Sequence, residues 1–463
     1  MPSDHLYPDG FVESLLGLLG EKGVRQGEAV LALDPGAHPQ NLRARLMARP
    51  SSAAEVARVL ELCREARVGV VPQGGRTGLA GGAVTREGQL IVSLDRMNHI
   101  QRIDPPARTA VVEAGVTLQR LQEALRPHGL VPGIDLGARG SATIGGMVST
   151  NAGGIDAFRY GTMRERVLGL EVALADGRLL EQLSRVRKDN AGLALRQLFI
   201  GAEGTLGIVT RVALALVPDP GAQQALLILT DGLGAAVRVL RAVEATPRLA
   251  LAAAELMSGN HFTVTARALG LAQLAATAPA AFAVLLVVSG ADGQSSLEAL
   301  LAEASERGEL IDVLVPRNSS EERDLWRVRE DWAVDRVRPG GLWYDVSVPL
   351  DALAGYLAAL GERLRRHDPG LDLYVVGHLA DGNLHVTVNA ATPISARYAE
   401  IALLVYEGLR EVGGSFSAEH GIGLEKRAAL EHWAGPTAIE LMRAIKTVFD
   451  PSGIMNPGKV LRA

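Results

Sequence analysis

Apolar and polar positions change rhythm several times along the chain, and each change predicts an element. The first 35 residues read as a helical lead-in interrupted by glycines. Beyond Ser51 and Ser52 the apolar-periodic run Val56–Cys63 predicts a helix reaching about Ala66; either serine can cap it, and Gly69 follows its end. Val68–Val71, Leu90–Leu94 and Thr109–Glu113 are apolar runs of strand length. Thr117 can cap a helix Leu118–Arg126 that stops before Pro127 and Gly129, and Leu168–Ala175 is a mostly apolar run closed by the turn Asp176–Gly177. Near Pro218–Gly221 the texture shifts. Ala222–Gly370 is rich in Ala and Leu, with strand-like runs such as Ala283–Val288 between helical stretches, and glycine returns around Gly413 before a tail, Asp450–Lys459, full of turn residues. No repeat of solenoid spacing is present. The expected organisation is residues 1–220, 221–412 and a C-terminal segment 413–463.

Composition narrows this picture only slightly. A chain of 463 residues with 48% apolar residues supports two or three lobes, and a net charge of −5 demands neither nucleic acid nor an acidic membrane surface as partner. The single cysteine, Cys63, excludes an intrachain disulfide and falls in a helical pattern, where a buried position is expected. MPSDHLYPDG lacks the basic and apolar regions of a signal peptide. No uncharged, unbroken apolar run reaches about 18 residues. Leu274–Ser289 comes nearest and is interrupted by Pro279. The expectation is a cytoplasmic protein, with peripheral membrane association left open.

Three glycine-rich segments carry the first candidate chemistry. Pro72–Gly82 follows directly on a strand; glycines there let backbone N–H groups approach an anion, although such a loop alone is also an ordinary turn. Gly137–Gly154 places small and hydroxyl residues where a large ligand can lie flat, with donors on Ser141, Thr143, Thr150 and Asn151. Gly201–Gly207 is the third. No full G-x-G-x-x-G occurs, since Lys426 stands where the third glycine after Gly421 and Gly423 would fall, so a dinucleotide would not be held in the Rossmann manner.

The second candidate is a hairpin. Tyr374–Val388 contains apolar runs around the turn Asp381–Gly382, which puts His378 and His385 near the turn on antiparallel strands. Cross-strand neighbours on one face have Cβ atoms about 4.5–5.5 Å apart, within reach of a shared cation. Ser417–Gly423 adds Glu419 and His420. Two histidines and a carboxylate suit Zn, Mn or Fe with positions left for substrate. The same spacing also describes two surface histidines beside a loop and a solvated Glu419. In an extended strand Glu419 and His420 would face opposite sides, so joint action requires a bend at Gly421.

The three glycine segments resemble the FAD-binding domain of the vanillyl-alcohol oxidase, or p-cresol methylhydroxylase (PCMH), superfamily. The resemblance implies an α+β chain: a PCMH-type FAD domain of two α/β subdomains, an α+β substrate-binding cap, and a C-terminal helical segment that returns to the FAD domain and completes the active site. It implies FAD contacts at Pro72, Gly74, Gly75, Arg76, Thr77, Gly78, Asp135, Ser141, Gly145, Gly146, Thr150, Asn151, Gly153, Gly154, Glu203, Gly204 and Ile208, with Asn456 beside the flavin. Members with covalent flavin usually carry a histidine in the first loop; this loop has none, so non-covalent FAD is expected.

G-H-x-x-D-G-N-x-H followed by S-x-E-H-G resembles the metal-bearing D-2-hydroxy-acid dehydrogenases, the branch that includes D-2-hydroxyglutarate dehydrogenase, D-lactate dehydrogenase and the flavin subunit of glycolate oxidase. The likeness runs from about Asp34 to Val460 and is strongest toward D-2-hydroxyglutarate dehydrogenase through Asp135–Thr210. It implies His378, His385 and Glu419 as metal ligands, His420 as general base and Arg329 as the substrate-carboxylate partner. Nothing in the local pattern separates Arg329 from Arg327.

Three positions depart from the dicarboxylate-specific pattern. Ala333 stands for a threonine, Trp343 for a lysine and Thr387 for an asparagine. These changes favour a substrate with an apolar tail over 2-hydroxyglutarate, which stays as the alternative. A metal-free reductive flavoprotein on the same fold and a non-catalytic oxidase subunit are the rival readings, and the histidine–carboxylate set speaks against both. An external electron acceptor is implied, whether a quinone, an electron-transfer flavoprotein or a cytochrome; a homodimer is allowed.

Overall fold

The computed structural model describes residues 6–462 except 248, 291–293 and 332. The chain divides into two compact units, one made of Met1–Asp219 with Glu419–Ala463 and the other of Pro220–Ala418.

The first unit contains a four-stranded and a five-stranded sheet, each with its own apolar core, and a short two-stranded pairing of Leu130–Val131 with Val217–Pro218. One has four strands in the order Val24–Gln26, Leu46–Ala48, Leu90–Ser93, Val70–Gln73, with the last three mutually parallel. The strand Val24–Gln26 lies inside the stretch expected to be a helical lead-in; its three residues pair with Leu46–Ala48, a tertiary partner that local periodicity does not reveal. Against this sheet packs the helix Ala53–Ala66. Ser52 is its cap, with Oγ accepting from the Glu55 N–H at 3.2 Å, and Arg67 rather than Gly69 takes the left-handed position at its end. Cys63 is fully buried on its inner side. The other sheet is antiparallel, in the order Ile100–Asp104, Thr109–Glu113, Ile208–Ala215, Val167–Ala173, Leu179–Gln182. Thr117 caps the helix Leu118–Leu125, and Thr143 caps the helix Ile144–Thr150. The C-terminal tail returns to the four-stranded sheet: Val70 N–H donates to the Ile454 carbonyl and Asn456 N–H to the Val70 carbonyl.

The second unit is one seven-stranded antiparallel sheet in the order Asp312–Leu314, Gln223–Thr230, Phe282–Ser289, Ala250–Ser258, Asp372–His378, Asn383–Asn389, Leu342–Ser347. The strands Asn383–Asn389 and Leu342–Ser347 alternate apolar and polar faces. Tyr344, Val346, Leu384, Val386 and Val388 lie on one face and are buried; on that side the Tyr344 hydroxyl donates to the Tyr398 carbonyl at the start of the helix Tyr398–Tyr406. The opposite face carries the polar residues. No helix among the described residues is long and apolar enough to cross a membrane.

Candidate functional site

In the second unit, strand register sets out a row of ionisable side chains. The Asp372–His378 and Asn383–Asn389 strands form the expected hairpin, but His378 is paired with Asn383 and His385 with Val376. The two histidines are therefore diagonal neighbours on one face, not directly opposite, with ring centroids 5.5 Å apart. The neighbouring strands extend the row in both directions. Glu255 is in register with His378, and Asp345 with His385.

Glu255 is buried to 2% exposure in the run Ala250–Met257. Its Oε1 accepts from His378 Nδ1 at 2.7 Å, and its Oε2 lies 2.6 Å from Nη2 of Arg329, on the helix Ser319–Glu330. Burial pushes the Glu255 carboxyl up, but His378 and Arg329 outweigh it and hold the group down at about 2. Asp345 accepts from Asn383 Nδ2 at 2.8 Å and lies 3.7 Å from His385 Nδ1. Sequence reasoning missed Glu255, Asp345 and Asn383. A lone charge in an otherwise apolar strand, as in Ala250–Met257 and Leu342–Val348, was the available signal.

Trp343 and Thr387 are cross-strand partners on this same face, two residues along from Asp345 and His385, whereas Leu342 and Tyr344 point to the other side. The Trp343 indole hydrogen-bonds Asp335, whose carboxyl burial pushes up to about 6 against that bond. Ala333 is fully buried at the start of the short helix Ala333–Val337.

In the first unit, close backbone approaches bring the glycine segments together. A Cβ on Gly74 would stand 2.2 Å from Thr143 Oγ1, and one on Gly75 would stand 1.9 Å from the Ser141 carbonyl oxygen. On Gly145 it would meet the Ala114 side chain at 2.5 Å, and Gly204 packs on Pro72. Gly78 has no protein atom within 4 Å of where its side chain would be, so the loop keeps open space there.

Several residues implied as FAD contacts have local tasks. Asn151 ends the helix Ile144–Thr150 in the left-handed region, and its Oδ1 accepts from Thr162 Oγ1 and Arg164 N. Thr150 and Ser149 hydroxyls donate back into their own helix. Asp135 takes the Gln122 side chain and the Leu136 N–H. Arg76, at φ +56°, donates through Nε to the Asp34 carbonyl. Gly146 donates its N–H to Thr143 Oγ1, Ile208 is buried at the start of its strand, and Thr77 is half-buried in the first loop.

Glu203 and Asn456 tie the third glycine segment to the C-terminal tail. Both are buried and adopt positive φ, +50° and +42°. The Glu203 carboxylate accepts from the N–H groups of Ile422 and Gly423 at 2.7 and 2.8 Å. Burial raises its pKa, while those N–H groups and the nearby Lys426 and Lys459 act the other way. Asn456 Nδ2 donates to the carbonyls of Gly82 and Glu203. Gly421, at φ +73°, supplies a bend directly after His420 and packs on the Glu203 carboxylate. Glu419 Oε1 accepts from the Gly154 N–H at 3.0 Å, beside Gly153.

Comparison with known proteins identifies the two halves. A family model described as FAD binding domain matches residues 44–182, and one described as FAD linked oxidases, C-terminal domain, matches residues 219–460. The chain is 37% identical to a probable mitochondrial D-2-hydroxyglutarate dehydrogenase of Oryza sativa subsp. japonica, over 96% of this chain and 80% of that one. It is also 37% identical to D-2-hydroxyglutarate dehydrogenase of Xanthomonas citri pv. viticola, over 89% and 88% of the two chains. Among solved structures, p-cresol methylhydroxylase with substrate bound superposes with a TM-score of 0.73 at 19% identity, over 98% of this chain and 97% of that one. The fold is thus of the PCMH type, as its sequence implied.

Proposed function

The chain belongs to the FAD-linked oxidase family, and on that footing we propose that it oxidises a D-2-hydroxy acid to the 2-oxo acid with non-covalent FAD and a divalent cation. The observation that carries the cation is the His378–His385 pair, two imidazoles 5.5 Å apart on one sheet face with Glu255 engaging Nδ1 of the first. His378, His385 and Glu419 would hold the ion, and this donor set suits Zn, Mn or Fe. For FAD, the support is the crowding of Gly74 and Gly75 against the second glycine segment beside open space at Gly78. The first loop has no histidine and Cys63 is buried in a helix, so neither offers a covalent attachment point.

When bound, FAD supplies a two-electron acceptor and the cation supplies Lewis acidity toward the substrate hydroxyl. His420 takes the hydroxyl proton, a task that suits imidazole as a side-chain type, since it can both accept and release a proton. Arg329 Nε is buried with no hydrogen-bond partner, which supports a role toward the substrate carboxylate through donors that Glu255 does not use. The electrons leave to an external acceptor: a quinone, an electron-transfer flavoprotein or a cytochrome.

The side-chain specificity proposed is apolar. Trp343 shares the sheet face of the candidate ligands, its indole N–H is engaged by Asp335, and Ala333 has no polar group to offer. An unpaired distal carboxylate would be costly to desolvate there, whereas an alkyl or aryl tail gains from an indole. The names of the relatives favour a second reading, D-2-hydroxyglutarate itself. The test is anaerobic bleaching of the flavin band together with kcat/KM for D-2-hydroxyisocaproate, D-mandelate and D-2-hydroxyglutarate. D-isomers are expected to bleach, L-isomers not, and the apolar acids to be preferred. A dicarboxylate advantage of about tenfold or more would replace the apolar reading with the second. No bleaching by any D-2-hydroxy acid would remove the whole proposal.

A further inference from the structure

We propose that Glu255 is a positioning residue that fixes His378 with Nδ1–H toward the carboxylate and the Nε2 lone pair outward, and that Arg329 holds Glu255 in that task. The inference rests on the cation reading above and deepens it.

The argument begins with a charge where the sheet does not need one. Glu255 sits in the strand Ala250–Ser258 among Leu251, Ala253, Ala254, Leu256 and Met257, all buried. One register partner is Leu285 and the other is His378. An aliphatic residue would fit this strand, and burying a carboxylate in it is unfavourable unless both oxygens are satisfied. Both are: Oε1 meets His378 Nδ1 and Oε2 meets Arg329 Nη2. Arg329 is itself only 10% exposed, so the ion pair is shielded from water and its geometry is stiff.

A carboxylate held between two donors can only accept, so the imidazole must present N–H from Nδ1. In a neutral ring that leaves Nε2 as the lone-pair nitrogen, the form a metal requires. Such carboxylate–histidine pairs fix both tautomer and ring plane. Near the second histidine, Asp345 stands 3.7 Å from His385 Nδ1 and accepts from Asn383 Nδ2. The orientation of His378 is set by a residue from a strand far away in sequence.

The test uses the full-length, FAD-loaded protein and measures affinity for Zn²⁺ and for Mn²⁺ by chelator competition, with flavin content and melting temperature alongside. Glu255→Ala is expected to weaken cation binding by about 10–100-fold while flavin content stays at the wild-type ratio. Glu255→Gln keeps an acceptor for Nδ1–H, so its loss should be smaller, within about tenfold. The double variant Glu255→Met, Arg329→Met removes the buried charges together. It should melt at or above the temperature of Glu255→Ala yet keep the full cation defect, which separates positioning from stability. Wild-type cation affinity in flavin-loaded Glu255→Ala or in the double variant would overturn the positioning role. A wild-type protein that binds neither cation would overturn the cation reading, and the positioning role with it.

Discussion

The unit formed by Met1–Asp219 and Glu419–Ala463 assembles its candidate residues by leaving side chains out. Gly74, Gly75, Gly145 and Gly154 stand where a Cβ would strike a neighbouring segment, at a carbonyl oxygen for Gly75 and Gly154 and at a side chain for Gly74 and Gly145. Pro220–Ala418 works the other way. There the row Glu255, His378, His385, Asp345 is made of side chains, and it exists because four strands meet in a particular register. The first design leaves almost no room for an added atom at those glycines and ties their segments further through buried side chains such as Glu203 and Asn456. The second also has close approaches, at Gly377 and Gly382, but loses its chemistry if one strand slips by a residue, since every side chain would then change face.

The strongest way to break this contrast is to add one methyl group in two places. Gly75→Ala puts a Cβ 1.9 Å from the Ser141 carbonyl, a backbone atom that cannot swing aside. The two glycine segments must separate, at a cost at or above the usual range of about 1–3 kcal/mol for overpacking. Flavin should be lost on gel filtration, and the melting temperature should fall. Gly78→Ala, three residues on, meets no atom within 4 Å and has no positive φ, so it should keep its fold. An equal change in melting temperature in the two variants would mean that close backbone approach is not what shapes this region.

The same contrast explains which features are legible in the amino-acid sequence. Glycine is a visible residue, so the three segments of the first unit stood out, and capping serines and threonines marked helix starts at Ser52 and Thr117. The Asp381–Gly382 turn gave away the hairpin and hence the face shared by His378 and His385. The partners of those histidines stayed hidden. Glu255 and Asp345 arrive from strands whose neighbours are chosen by the whole sheet, and nothing local states that register. Nor did composition hint that Arg76, Asn151, Glu203 and Asn456 would take positive φ, where glycine is the usual occupant. Val24–Gln26 stayed unseen for a related reason, being a strand only by virtue of its partner.

Acid sharpens the contrast from the side-chain side. His261, on the helix Gly259–Ala268, is buried beside Arg329; burial first, and the Arg329 charge second, hold its pKa down at about 4, opposed by a hydrogen bond that its ring donates to the Val328 backbone and by Asp331. The ordinary histidine value is about 6.5. Between the two the unfolded chain binds a proton that the folded chain refuses, so stability is present above about 6.5 and is lost as pH falls toward about 4. The loss amounts to on the order of 3 kcal/mol. Urea midpoints measured across that window should fall with acid in the wild type and less steeply in His261→Gln. Identical slopes would assign the acid sensitivity to other groups.

The smallest effects come from helix starts, where the two units again differ. Ser52 caps Ala53–Ala66 through its own hydroxyl, and Glu55 closes the reciprocal bond to the Ser51 N–H. The helix Leu233–Ala245 begins at Gly232, which has extended dihedrals and no side-chain cap. Ser52→Ala removes an acceptor from a first-turn N–H and should cost about 1 kcal/mol. Gly232→Ser adds one. Its φ of −148° and ψ of 133° already suit a serine cap, and no atom lies within 4 Å of the new Cβ. The gain should be only a few tenths of a kcal/mol, because glycine is itself an acceptable cap, plus whatever the unfolded chain loses in freedom. A competing bond limits it further: Thr230 Oγ1 already accepts from the Gly232 N–H, and a serine hydroxyl that turned toward Thr230 would not reach the helix. The measurement is the urea midpoint of each single variant and of the pair. The two sites lie in different units and share no partner, so their effects should add within about 0.5 kcal/mol. A serine at 232 that destabilises by as much as Ser52→Ala would show that this helix start depends on glycine's lack of a side chain, as the close approaches at Gly377 and Gly382 in the same unit do.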